Sequence, residues 1–241
     1  FFWSKTWFTF LRRPKIVFIN KFKLFFLRIA AKYLFFIFII NMFIDNSEWC
    51  WENLDESLLA SEIKNATYEG ISDKDLADSM LMTARTMVEK EPNYSYATAR
   101  LLLNNMENEV CGFLGIKERE NRAEMYKQAL HKTIDKGIEL DFISEELKKF
   151  DLEKLGSAIL EERDFQFKYL GLQTLYDRYF ITHEETRYEM PQVFFMRVAM
   201  GLAINETNKN ERAIEFYKLL SSFDYMSSTP TLFNSGTPRS Q

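Results

Sequence analysis

From Leu54 onward the apolar residues recur at the three-to-four spacing of packed helices, and this pattern confines the body of the chain to a mainly α fold. Ser72 and Asp75 fit a capping box ahead of a stripe made by Leu76, Met80, Ala84 and Met87. Pro92 and Asn93 interrupt the pattern, and Tyr96, Leu103 and Val110 mark a second helix ending near Gly112. Ala123, Tyr126, Leu130 and Ile134 give a third, closed by Gly137. Ser144 caps a short fourth through Leu147 and Phe150, and a fifth runs from about Phe165 through Leu172 and Leu175 to Tyr179. Pro191 suits the first turn of a sixth, with Phe194, Val198 and Leu202 facing inward. Asn210 caps a seventh carrying Ile214, Tyr217 and Leu220. No alternating strand pattern occurs before Ser227. Beyond it, Pro, Asn and Gly surround a small apolar core, which reads as a loop and short strand entering a new domain.

Charge divides the 241 residues into two unlike pieces. Residues 1–45 hold 12 of the 23 Phe and eight Lys or Arg against one acid, Asp45. With a total of −4, the rest of the chain is therefore strongly acidic, which argues against nucleic acid as a partner. The longest apolar run in the leader, Tyr33 to Ile40, is shorter than the roughly 20 residues of a membrane-spanning helix. Its basic part is too long for a signal peptide, and no small-residue cleavage site follows Ile44. The first Met is Met42, and Phe, Lys, Ile and Asn dominate the stretch. The leader is read as translated upstream sequence or the scar of a gene rearrangement, with an interfacial membrane anchor as the alternative.

No chemical constellation stands out. Cys50 and Cys111 are too far apart to suggest a disulfide framework or a zinc cluster, and they read as free, buried thiols in a reducing cytosol. His131 reads as a surface residue and His183 as a loop residue, since neither has a metal-ligand neighbour at the required spacing. Glu161-Glu162 and Glu184-Glu185 suit solvated faces, and Met80, Met82 and Met87 suit core filling. Gly112 to Gly115 is too short to cradle phosphate, and Lys148-Lys149 is a basic patch of only two. Residue physics alone gives a helical domain with no visible catalytic residue and no metal site.

Three blocks carry more. YLGLQTLYDRYF at 169–180, PQVFFMRVAMGLA at 191–203 and AIEFYKLLSSFDYMSSTPTLFNSG at 213–236 resemble the large (alpha) subunit of class I ribonucleotide reductases. Weaker similarity runs back through EPNYSYATAR at 91–100 to YEGI at 68–71, so the resemblance covers about Leu54 to Gln241 and leaves the leader unexplained. It implies an N-terminal fragment of such a subunit. Residues 46–115 would be a helical segment related to an ATP-cone, 116–226 the N-terminal helical domain, and 227–241 the start of an α/β barrel at its first strand.

The implied chemistry is reduction of ribonucleoside diphosphates to deoxyribonucleotides by a thiyl radical. The radical comes from a metal-containing small (beta) subunit, and thioredoxin or glutaredoxin acts as reductant. ATP, dATP and dNTPs are the family's effectors, and a homodimer is implied for the intact subunit, in the cytoplasm. The resemblance places Thr229 among the substrate-binding residues. It places neither Cys50 nor Cys111 among the catalytic cysteines, so the fragment is expected to be inactive alone. The opening strand of an ATP-cone is missing, and Ser72 and Asp73 replace any clear nucleotide-contact pattern, so no ATP binding is expected. Two other readings stay open: a non-enzymatic helical module that docks a separately encoded barrel, and a membrane-associated helical protein.

Overall fold

Side-chain capping explains where four of the nine α-helices among the described residues begin. The computed structural model describes residues 54–239 except Glu69, Glu118 and Glu120, all within one compact unit. The expectations for the leader 1–45 and for Cys50 lie outside the described residues.

Helix α1 (Glu56–Asn65) starts at Asp55, whose carboxylate accepts the Leu58 amide at 2.9 Å. Helix α2 (Asp73–Met87) starts at Ser72, whose hydroxyl accepts the Asp75 amide at 3.1 Å. The Asp75 side chain takes the Ser72 hydroxyl proton rather than the Ser72 amide, so the capping box closes only on one side. Helix α3 (Tyr94–Leu114) ends on Gly115, whose φ of 63° lets the Ile116 amide return to the Cys111 carbonyl at 2.9 Å. Helix α4 (Arg122–Glu139) is capped by Asn121, and a 3-10 turn (Glu145–Lys149) by Ser144.

Helix α5 (Leu152–Ser157), capped by Asp151, was not legible as a separate helix in the sequence. A second 3-10 turn (Glu161–Gln166) leads to α6 (Tyr169–Arg178) and then to a hairpin of β1 (Thr182–His183) and β2 (Thr186–Arg187). The hairpin is antiparallel, with Thr182 opposite Arg187 and His183 opposite Thr186. Three helices follow: α7 (Pro191–Leu202), α8 (Lys209–Ser221) and α9 (Thr229–Asn234).

The centre of the fold is α7. Every residue from Pro191 to Met200 is buried, so this helix is enclosed on all sides rather than amphipathic. Its aromatic residues are gripped from two directions. Phe195 stacks on Phe167 at 6.4 Å and meets Phe223 edge-on at 6.1 Å, while Phe194 packs on Phe180 at 5.3 Å.

The mainly helical expectation holds, with six local corrections. Among the described residues from Ser227 onward a helix stands in place of the expected strand: Ser228 is extended at φ −63° and ψ 156°, and Pro230, in the first turn, pre-sets the helical φ that starts α9. The only strands among the described residues are two residues long, too short for any alternation to show. The single helix expected over 165–179 is divided by Phe167 and Lys168, both extended. Gly137 lies inside α4, where Ile143 packs so tightly that a Cβ would collide with its side chain. Asn210 does not cap α8; it lies inside the helix and its side chain accepts the Asp151 amide at 3.0 Å. Among inward-facing residues, Met82 and Leu202 prove exposed, at 56% and 43%.

Candidate functional site

The residues following α8 form the least expected part of the fold and the best candidate site. Leu232, on α9, is buried and anchors the segment, while Ser228, Thr229 and Pro230 face solvent. The Thr229 Oγ1 lies 3.0 Å from the Tyr179 hydroxyl, and the Ser228 and Thr231 hydroxyls are 3.2 Å apart. The Tyr179 ring leans on Phe233 at 5.0 Å and on Phe194 at 6.4 Å. The first turn of α9 thus presents a row of neutral hydroxyls, able both to donate and to accept. Phe223, Tyr225, Met226 and Phe233, within or just before this segment, leave 39–59% of their surface exposed.

What fixes this surface turn is buried beneath it. Arg197 on α7 and Glu189 just before it are both fully buried, with Nε to Oε1 at 2.5 Å and Nη2 to Oε2 at 3.2 Å. This is a bidentate pair. The remaining terminal nitrogen of Arg197 donates to the Ser235 carbonyl at 2.6 Å, and Glu189 also accepts the Ile181 amide at 2.9 Å. Ser235 Oγ donates to the Val198 carbonyl at 2.8 Å, and the Ser144 amide donates to the Gly236 carbonyl at 2.9 Å. One ion pair therefore ties the hairpin, α7 and the α9 segment together.

Close backbone approach completes the seating. Gly236 adopts φ 78°, which favours glycine. A Cβ on Gly201 would sit 2.6 Å from the Ser235 carbonyl carbon and closer still to the Gly236 amide. Replacing Gly201 with Ala is expected to cost about 1–3 kcal/mol through this overlap. Amide exchange should quicken most from Thr229 to Thr237. Unchanged exchange there, with an unchanged melting temperature, would contradict the proposed seating.

A second buried network lies on the opposite side of α7. The Asp164 carboxylate, 1% exposed, accepts Gln192 Nε2 at 2.9 Å, Arg122 Nη2 at 2.9 Å and the Tyr126 hydroxyl. Gln192 in turn accepts the Tyr217 hydroxyl at 2.9 Å, and Tyr217 accepts the Leu160 amide at 2.9 Å. Arg122 also bonds Glu107 at 2.5 Å, and Arg100 donates to the Asp164 and Phe165 carbonyls at 3.2 and 2.8 Å. Burial pushes the Asp164 carboxyl above the usual carboxylate range, against the pull of Arg122. Burial draws Arg122 down, but Glu107 and Asp164 outweigh it and hold its pKa above the ordinary value. Arg100, mainly through burial, is lowered to about 10 and stays charged at neutral pH. Asp164 is buried and meets three side-chain donors, so it serves to join α3, α4, α7 and α8.

The other residues singled out in the sequence scatter. Cys111 is buried on α3, and burial raises its thiol pKa, as befits a packing residue. His131 is half-buried, 3.7 Å from Glu153, and His183 sits on β1 near the rings of Phe113 and Phe142. Glu184 and Glu185 form the exposed hairpin turn, both at positive φ. Lys148 and Lys149 pair with Asp135 and Glu146 instead of forming a basic surface. Among the described residues no group of three His, Cys, Asp or Glu could hold a metal ion, and no helix is long and apolar enough to cross a membrane. A groove of about 370 Å³ between α2, α3 and α6 is lined by Met82, Leu102 and Leu170, and its charged lining residues are Arg85, Asp78 and Asp177. Two carboxylates against one guanidinium do not suit a triphosphate.

Periodicity missed Arg197, Glu189 and Tyr179 as functional supports. A signal for the first was nonetheless present: Arg197 is the one charged residue in PQVFFMRVAMGL, and a charge on a wholly apolar helix requires a buried partner.

Comparison with known proteins follows the same segment. Residues 165–240 match the family model described as "Ribonucleotide reductase, all-alpha domain", which includes Glu189, Arg197, Gly201, Thr229 and Ser235. The chain is 43% identical over 190 residues to the ribonucleoside-diphosphate reductase subunit alpha of Chlamydia trachomatis, covering 79% of this chain and 18% of that protein. It is 37% identical over 192 residues to the subunit alpha of Helicobacter pylori, covering 79% and 23%. Against the large chain of Schizosaccharomyces pombe the identity is 29% over 195 residues, covering 79% and 23%. The chain thus spans less than a quarter of the length of these relatives. With the helical fold, the seated segment and this similarity together, the chain belongs to the ribonucleotide reductase large-subunit family and carries its all-alpha domain.

Proposed function

We propose that this chain works as part of the large subunit of a ribonucleoside-diphosphate reductase, in which the helical body frames the nucleotide site and Thr229 contacts the substrate. The observation that carries this reading is the rigid seating of exposed Thr229, within the matched segment, on the buried Glu189–Arg197 pair. An alcohol on a fixed turn can hydrogen-bond a nucleoside diphosphate without reorganising, which is what a substrate-positioning group requires. The exposed Phe223, Tyr225, Met226 and Phe233 beside it form an apolar surface suited to burial against another part of the enzyme. On this reading neither Cys50 nor the buried Cys111 is a catalytic cysteine, and the reducing and radical-bearing thiols are supplied elsewhere in the assembly. A small subunit that generates the radical, and thioredoxin or glutaredoxin as reductant, complete the proposed system, with the 241-residue chain inactive by itself.

The test is a chimaera in which residues 54–239 replace the matching segment of the Chlamydia trachomatis subunit alpha, assayed with that organism's small subunit and CDP. Reduction of CDP is the expected result. A folded chimaera that binds the small subunit yet neither binds nor reduces CDP would overturn the proposal.

A further inference from the structure

Of the conspicuous block at 169–180, one residue reaches the α9 segment with a polar atom. Tyr179, which ends α6, places its hydroxyl 3.0 Å from Thr229 Oγ1, and either oxygen can donate. Its backbone is fixed by the Tyr179 amide donating to the Leu175 carbonyl at 2.9 Å. Its ring is held between Phe194 on the enclosed helix α7 and Phe233 on α9. The hydroxyl therefore stands on a rigid support, whereas the exposed Thr229 side chain has no other hydrogen-bond partner among those described.

We infer that Tyr179 is a positioning residue for a phosphate-bearing ligand at Thr229, an inference that rests on the reading of Thr229 given above. A diphosphate oxygen accepts hydrogen bonds but does not donate them. When one binds, Thr229 turns its proton toward the phosphate, and Tyr179 donates to the vacated lone pair. The order is Tyr179 O–H to Thr229 Oγ1, then Thr229 O–H to phosphate. Each bond polarises the next, and the threonine rotamer is fixed before the ligand arrives. No proton changes owner.

The experiment uses the chimaeric holoenzyme described above, with CDP turnover and CDP binding by calorimetry measured side by side. Tyr179→Phe keeps the ring packed between Phe194 and Phe233 and removes only the hydroxyl. It is expected to raise KM and Kd for CDP about 3–10-fold, the scale of one lost hydrogen bond between neutral hydroxyls, with kcat within about twofold. Thr229→Ala, which removes the bond to the charged ligand itself, is expected to weaken CDP at least as much, and the double variant to be no weaker than Thr229→Ala alone. In a Thr229→Ser background the effect of Tyr179→Phe should persist. If Thr229→Ala leaves CDP affinity unchanged, the substrate contact itself fails, and the inference with it. Should Thr229→Ala weaken CDP while Tyr179→Phe does not, or the two effects simply add, the positioning role is overturned and the contact stands.

Discussion

Arg197→Met is expected to lower folding stability by about 3–5 kcal/mol, the scale for breaking a buried ion pair from one side. The reason is the orphaned Glu189. Both side chains are fully buried, and with Arg197 gone the Glu189 carboxylate keeps the Ile181 amide and no cation. A domain of this size is typically stable by about 5–15 kcal/mol, so such a loss should shift the urea midpoint severely. The damage should also be directional. Arg197 Nη1 holds the Ser235 carbonyl, so proteolysis should begin in the residues after α8 before the helices around α4 open. The double variant Glu189→Gln with Arg197→Met leaves no buried charge and should recover part of the loss. A single variant within about 1 kcal/mol of the parent would mean that the pair does not govern stability, and the seating of Thr229 would need another explanation.

How much of this was readable in the sequence depends on which physical signal each element emits. Helices α2, α4 and α7 have a cap or an N-terminal proline followed by a long apolar pattern, and their existence and starts were legible. Helix α5 is six residues long and offered too few turns for a period to show. The break at Phe167 and Lys168 carries neither Gly nor Pro, because packing of Phe167 against Phe195 and Phe223 imposes it. Residues 227–236 were misjudged for a different reason. Pro, Asn and Gly do signal a turn, yet here they bracket a helix of only six residues whose form depends on contacts to α7 that lie far away in sequence. The site followed the same rule. Thr229 entered through resemblance, since an exposed threonine has no physical signature of its own; apart from the lone charge of Arg197 on its apolar helix, the residues that seat it are recognisable only once the fold brings positions 179, 189, 197 and 229 together.

Asp164→Ala is expected to be the other severe substitution, again about 3–5 kcal/mol, but with its damage spread over the whole helical body. The carboxylate is the common acceptor for Arg122, Tyr126 and Gln192, side chains from α4 and α7, and Gln192 passes the connection to Tyr217 on α8. Removing it strands a buried tyrosine hydroxyl and a buried amide and leaves Arg122 with Glu107 alone. Arg100 should be spared, because it bonds the backbone carbonyls of residues 164 and 165 rather than the carboxylate. Asp164→Asn keeps the shape and one acceptor oxygen but turns an NH2 toward neighbours that are mostly donors, so about 1–3 kcal/mol is expected. Equilibrium unfolding followed by tryptophan-independent far-UV dichroism would rank parent, Asn and Ala in that order. Because Asp164 lies across α7 from the Thr229 segment, its removal should lower the global midpoint without selectively exposing the residues after α8. A local opening confined to those residues would show that the two networks are one cooperative unit, and that α7 transmits between them instead of separating them.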